Sequence, residues 1–405
     1  AVASSGDLTE KQRNDLLAQM TEPVAELVLK DNYEQTETLS LAEAQAAGMI
    51  DVHERFLRQL EQSHKLDRDL ESLPDDEELA ERKRDHLGLT RPELATLLAY
   101  SKIYLFSALL ESDVPEDPHL SAELEHYFPD PLPERFGEQM RDHRLRREIA
   151  ATQIVNNMLH GGGTTFAFRL HEETGAPAAE IARAYAVARD IFQMRPQWGE
   201  IEALDNRVSA EVQVEMLLEG RRLIERGSRW LIRNLDWPIA IAPAVQYFEP
   251  GAAALYESVP RLLDGPDAEP IERRAAELRK SAVPDRLAMR VASLGTMFAA
   301  LDIVQVADET GLDVESVAAV HFQVGSRLQL HWLRDRIVEL PRDDRWRALA
   351  RATPSSDSRI RTSLRLLAHA YTVHVRCTYD HVRCTLVNVG EGKFVNVSWT
   401  EARRR

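Results

Sequence analysis

Residues 209–235 set the strongest constraint on the fold. Their apolar side chains come in pairs seven residues apart: Met216-Leu217, Leu223-Ile224 and Trp230-Leu231. Seven residues are two turns of α-helix, and a helix of this length runs about 40 Å at 1.5 Å per residue. The stripe is wide, and Gly220 and Gly227 interrupt it. That pattern suits the core helix of a bundle, with a subunit interface as the second reading.

Helix signals dominate the rest of the chain. Thr9-Glu10-Lys11-Gln12 and Thr90-Arg91-Pro92-Glu93 have the spacing of capping boxes. Leu16, Leu17, Met20, Val24, Leu27 and Val28 follow the first box at helical spacing, and Pro23 is placed to open a second helix. Leu94, Leu97, Leu98, Ile103 and Leu105 follow the second box and predict a deeply buried helix. A third helix is predicted over 133–158, with Phe136, Met140, Ile149 and Ile154 on one side and the charged run 141–148 on the other. Further helical segments are predicted over 283–300, 314–328, 330–340 and 343–352.

One pattern recurs. Glu173-Thr174-Gly175 returns 136 residues later as Glu309-Thr310-Gly311, with Ile181-Ala182 matched by Val317-Ala318. Each copy reads as helix, glycine stop, helix. Convergence of helix–turn–helix corners and a duplicated hairpin both account for it.

Strand alternation is absent until residues 371–376. There the charge also changes sign: residues 1–90 hold 21 acidic and 10 basic side chains, residues 353–405 hold 4 and 9. The only cysteines, Cys377 and Cys384, lie in this tail, which excludes a disulfide framework and points to a reducing compartment. Across 405 residues, 44% are hydrophobic, ample for a sizeable core, and the net charge is −16. Such a charge argues against nucleic acid and acidic lipid as partners. No stretch reaches the roughly 18 apolar residues of a membrane span; the longest candidate, Leu97 to Leu110, contains Lys102 and reads as a buried helix, and the first residues do not form a secretory signal.

Enzyme signatures are missing. There is no dinucleotide-binding glycine loop, no phosphate-binding P-loop and no H-E-x-x-H zinc helix. His160-Gly161-Gly162-Gly163 matches the oxyanion loop of some esterases, but no G-x-S-x-G elbow accompanies it. It reads instead as a flexible break between helices. His374, Cys377, His381 and Cys384 are zinc-ligand types too closely spaced for a tetrahedral site. The segment 172–182 has the rhythm of a DNA-reading corner, yet its second helix offers only Arg183 and Arg189. Asp75-Asp76-Glu77-Glu78 suits a helix N-terminus rather than catalysis.

Four blocks, in order, resemble the C-terminal region of the large bacterial NAD-specific glutamate dehydrogenases. They are Leu89-Thr90-Arg91-Pro92-Glu93-Leu94-Ala95 with Leu98-Ala99-Tyr100-Ser101-Lys102, Ala167-Phe168-Arg169-Leu170-His171-Glu172-Glu173-Thr174-Gly175-Ala176 with Ile181-Ala182-Arg183-Ala184-Tyr185, Trp332-Leu333-Arg334-Asp335-Arg336-Ile337, and Leu340-Pro341-Arg342-Asp343-Asp344-Arg345-Trp346. The resemblance covers roughly residues 7–352. It implies a parent enzyme that oxidises L-glutamate with NAD and water to 2-oxoglutarate, ammonia and NADH, with catalysis upstream of this segment. Residues 353–405 depart from the pattern and read as a shifted frame or an unrelated end.

The expectations are therefore an all-α, multi-helix bundle of long and short helices with a strand-like or disordered tail. Subdomains are expected at 1–130 and 131–352, with the basic tail at 353–405. The segment is expected to be a fragment with a structural or assembly role, holding no catalytic, cofactor-binding or metal-binding residue. NAD belongs to the parent. The expected partners are the dehydrogenase core and further copies in a homo-oligomer, without nucleic acid or membrane, in the cytoplasm. The alternatives are a stand-alone interaction or regulatory module and, more weakly, an esterase.

Overall fold

The computed structural model describes residues 8–327, apart from 64, 122 and 264, together with strands 383–387 and 394–398. In chain order the helices are α1 (Glu10–Gln19), α2 (Thr21–Gln45), α3 (Ile50–Gln62), α4 (Asp76–Arg84), α5 (Arg91–Leu110), α6 (Pro118–Ser121), α7 (Glu123–Tyr127), α8 (Leu132–Arg141) and α9 (Arg146–Gly162). They continue as α10 (Phe166–Thr174), α11 (Ala178–Ile191), α12 (Met194–Glu202), α13 (Ala210–Asn234), α14 (Ile241–Leu262), α15 (Glu269–Lys280), α16 (Asp285–Met297), α17 (Ala300–Thr310) and α18 (Val314–Arg327). Strands β1 (Arg383–Val387) and β2 (Phe394–Ser398) pair antiparallel, with Arg383 opposite Ser398 and Val387 opposite Phe394. The architecture is the expected helical bundle. The alternating segment 371–376 and the helices predicted over 330–340 and 343–352 lie outside the described residues.

Two compact units form, residues 1–246 and 247–405. The boundary expected at 130 falls inside the first unit, where α5 and α7 both pack against α9.

Local chemistry accounts for many helix starts. Thr9 Oγ1 accepts from the Gln12 amide at 3.3 Å, and Gln12 Oε1 accepts from the Thr9 amide at 2.9 Å, a reciprocal cap for α1. Glu93 likewise accepts from the Thr90 amide at the head of α5. Asp75 caps α4 by accepting from the Glu78 amide at 2.8 Å, so the acidic run serves a helix start as expected. Asp76 also pairs with Arg58 and Arg68.

The centre of the first unit is α11. Every residue from Glu180 to Arg189 is buried, and the helix packs on α5, α9, α10, α12 and α13. Its alanines (182, 184, 186 and 188) let those neighbours approach closely. The paired apolar residues of α13 are buried as its periodicity predicts, from Met216-Leu217 to Trp230-Leu231. Its two glycines are contact points rather than interruptions. A Cβ on Gly220 would stand 2.7 Å from Met194 Cε, and one on Gly227 would stand 2.9 Å from the Phe192 ring.

The repeated corner is real in local geometry. Gly175 and Gly311 both adopt left-handed conformations, φ +73° and +67°, at the ends of α10 and α17. Thr174 and Thr310 each donate a hydroxyl hydrogen bond four residues back, to Leu170 O and Val306 O. The following helices start at Ala178 and Val314, 136 residues apart as in the sequence, and Ile181 and Val317 are both buried.

Three sequence expectations change. The helix predicted over 133–158 is two helices, because the chain turns at 142–145 between α8 and α9; within α8 the backbone also kinks at Phe136. Second, α5 is long and apolar enough on average to meet the length and composition test for a membrane span, as is the bent pair α16 and α17 taken together. From sequence the apolar stretch Leu97 to Leu110, with Lys102 inside it, falls short of a span and reads as a buried helix; the whole helix is longer than that stretch. Leu94, Leu97, Leu98, Leu105 and Leu109 of this helix are buried in the bundle. Third, the apolar stripe of α1 and α2 is largely uncovered: Leu17, Val24 and Val28 are exposed, and within α1 only Leu16 is buried.

Candidate functional site

The most unusual polar cluster in the first unit lies where α2 enters the bundle. From 21 to 33 every residue of α2 is exposed except the half-buried Pro23 and Leu27. From Glu34 onward the helix sinks against α5, α9 and α13, and Thr38 and Leu41 are each only 1% exposed. The Arg91 guanidinium at the start of α5 fastens this second half. It donates to Glu43 at 2.9 Å, to Ser40 Oγ at 3.1 Å and to the Thr36 carbonyl at 3.1 Å.

At the crossing point, His160 Nδ1 lies 2.8 Å from Glu34 Oε2, and Lys30 Nζ lies 3.7 Å from Glu34 Oε1. Arg221 of α13 donates from Nη2 to the His160 carbonyl at 2.6 Å and from Nε at 3.2 Å. Tyr33 lies near Asp205, just after α12. Glu37 lies half-buried near Glu202, Arg221, Glu34 and Asp205, with no hydrogen bond or ion pair of its own among the described residues.

Burial and charge divide these groups. Burial alone would raise the Glu34 carboxyl, but the hydrogen bond and charge of His160, helped by Lys30, hold it below the ordinary carboxylate range. Glu37 is pushed up to about 7, first by burial and then by Glu202, while Arg221 pulls the other way. Glu202 is raised by burial and by Glu34. Burial lowers the Arg221 guanidinium to about 10, still cationic at neutral pH. Two neighbouring carboxyls on one helix are thus set apart, one paired and ionised, one unpaired and titrating near neutrality.

The glycine run after His160 belongs to this seam, and neither the flexible-break nor the esterase reading fits it. Gly161 and Gly162 complete α9 and are buried. A Cβ on Gly161 would meet Tyr185 Oη at 2.2 Å and Trp198 at 2.5 Å, and one on Gly162 would meet the Phe166 ring at 2.6 Å. Gly163 takes φ +97° beside Arg221. Its amide already donates to Leu159 O and its carbonyl accepts from Phe166. The run is glycine because side chains crowd it.

The corner over 172–182 does not present a nucleic-acid-reading face. Arg183 and Arg189 are both 4% exposed. Arg183 pairs with Asp113 at 2.7 Å and Asp117 at 3.1 Å, and Arg189 with Asp190 at 2.7 Å and Glu123 at 3.1 Å. His119 adds a 2.7 Å contact to Asp190. Deeper along α13, Glu225 pairs with Arg169 at 2.5 Å and Arg229 at 2.8 Å, and Arg229 also holds Glu173. These networks satisfy buried charge within the fold. Among the described residues no group of three or more metal-ligating side chains assembles. His374, Cys377 and His381 lie outside the described residues, and only the backbone of Cys384 is described, in β1. No catalytic or cofactor-binding residue was expected from sequence. The seam was missed too, because Glu34 and His160 are 126 residues apart.

Comparison with known proteins fits this geometry. Residues 86–370 match the family described as "Glutamate dehydrogenase, C-terminal". Residues 1–42 match "Bacterial NAD-glutamate dehydrogenase, catalytic domain". NAD-specific glutamate dehydrogenases of Halomonas elongata and Pseudomonas aeruginosa are each 44% identical, over 88% and 86% of this chain. That of Mycobacterium tuberculosis is 34% identical over 88%. The chain spans 22% of the length of each of these relatives. The catalytic-domain match ends at residue 42, inside α2, so the first helices are not wholly separate from that domain as the sequence reading supposed. The C-terminal match runs to 370, past the change of character at 353. Taken with the all-helical fold, these matches establish that the chain belongs to the glutamate dehydrogenase C-terminal family.

Proposed function

We propose that this chain is the helical C-terminal region of an NAD-dependent glutamate dehydrogenase. Its parent converts L-glutamate, NAD and water to 2-oxoglutarate, ammonia and NADH. In this reading the region performs no chemistry and binds no cofactor; it holds the catalytic domain in place, and copies of it take part in a cytoplasmic homo-oligomer.

The observation that carries the reading is α2. It is one unbroken helix of 25 residues. The catalytic-domain match covers all of α2 but its last three residues, while residues 21–33 stand largely exposed and residues 34–45 are built into the bundle. The first half exposes Val24, Val28, Leu29 and Tyr33, spread around the helix. A helix apolar on several sides is normally covered, and the catalytic domain is the surface its sequence match supplies. A continuous helix transmits position along about 1.5 Å per residue without a hinge.

The test is made in the complete dehydrogenase. Val24→Asp with Val28→Asp places two charges on the face assigned to the catalytic domain. Glutamate oxidation is expected to fall at least tenfold while the 405-residue chain carrying the same changes keeps its helical content. Full activity of the double variant would rule the arrangement out.

A further inference from the structure

We propose that the seam around Glu37 is a proton-operated latch: α2 seats more tightly on the bundle when Glu37 is neutral than when it is ionised. The latch itself concerns this chain alone; any consequence for the catalytic domain rests on the reading of α2 given above.

The geometry is asymmetric. Glu34 and Glu37 are one turn apart on α2 and look onto the same cluster. Glu34 has two cationic or hydrogen-bonding neighbours, His160 and Lys30. Among the described residues Glu37 makes no hydrogen bond or ion pair, and its one cationic neighbour is Arg221. Every element packed against this stretch contributes charge. The end of α12 and the turn after it present Glu202 and Asp205, α13 presents Arg221, α9 presents His160, and α5 presents Lys102 near Asp31 and Glu34. Around Glu37 itself three acids face one cation, and that cation already donates two hydrogen bonds to the His160 carbonyl.

Seating α2 therefore brings a carboxylate into a part-buried space beside three others. As an acid it needs no counter-charge; as an anion it repels Glu202, Glu34 and Asp205 at short range and low dielectric. Lifting this part of the helix returns Glu37 to water. Proton binding thus favours the seated form. A group raised in the seated form stabilises it fully below its ordinary value, and that stability is lost as pH rises through the seated value. With an ordinary value of 4.5 and a seated value of about 7, the stabilisation falls progressively from pH 4.5 up to about pH 7 and is nearly gone by about pH 8. The paired Glu34 works in the opposite sense and only in acid, so the two carboxyls do not cancel near pH 7.

Hydrogen exchange of residues 34–45 in the 405-residue chain, expressed as protection factors corrected for intrinsic rates, reads the seat directly. Protection is expected to fall about tenfold between pH 6 and pH 8, the change given by a single carboxyl moving from 4.5 to about 7. Glu37→Gln is expected to keep the pH 6 protection at pH 8. Glu202→Gln, which removes the strongest repelling neighbour, is expected to shrink the dependence without abolishing it. Equal wild-type protection at both pH values, or a Glu37→Gln chain with the wild-type slope, overturns the latch. Either failure leaves the assignment of α2 to the catalytic domain standing, because that assignment is read from activity of the complete enzyme.

Discussion

The two halves of α2 obey different rules. Residues 21–33 have helical periodicity and apolar side chains, yet almost all are exposed. Residues 34–45 have fewer large apolar groups, yet Leu41 and Thr38 are buried and Arg91 clamps the backbone. Periodicity forms the helix in both halves. Tertiary contact fixes only the second. Most helical stability in proteins comes from packing of this kind rather than from propensity.

That contrast can be broken by substitution. The largest effect is expected at Leu41, which is 1% exposed. Leu41→Ala should cost the first unit about 3 kcal/mol through lost burial and a residual cavity, measured as a shift in urea midpoint of the transition that reports unit one. On the bundle side of the same seam, Gly161→Ala forces a methyl against Tyr185 and Trp198. About 2 kcal/mol is the expected loss by overpacking; a midpoint equal to that of the parent chain would mean the seam is looser than its contacts indicate. Glu34→Gln should cost about 1 kcal/mol by weakening the bond to His160. The sign with pH follows from the lowered carboxyl. Its contribution is present above the ordinary carboxylate value and is lost as pH falls through the lower, seated value. Urea titrations should therefore separate wild type from Glu34→Gln by more at pH 7 than at pH 3. The smallest effect is expected at Leu29, 68% exposed: Leu29→Ser should shift the midpoint of the 405-residue chain by less than about 0.5 kcal/mol.

Much of the fold was legible in the sequence where the determining chemistry is local. The caps at Thr9, Asp75 and Thr90 are read from residues three apart, and the left-handed glycines 175 and 311 from a short helix–stop–helix phrase. The burial of α13 follows from its own spacing. The break between α8 and α9 at 142–145 was hidden because apolar side chains continue on both sides of it, from Met140 to Ile149. Exposure of Val24 and Val28 was hidden for a related reason: a stripe says that a face wants covering, not what covers it. The glycines after His160 looked flexible because the rings that crowd them, Tyr185 and Trp198, come from α11 and α12. The candidate site was the least legible part. Glu37, Glu202 and Arg221 meet only through the packing of three helices, and no short motif marks such a meeting.

The measurement that bears most directly on the shared helix compares hydrogen exchange of α1 and α2 in two contexts, the 405-residue chain and the complete dehydrogenase. Residues 34–45 should be equally protected in both. Residues 21–33 should exchange rapidly in the 405-residue chain and gain at least tenfold protection in the complete enzyme. If residues 21–33 exchange equally fast in both, the catalytic domain does not cover them, and α2 does not join the two parts of the molecule.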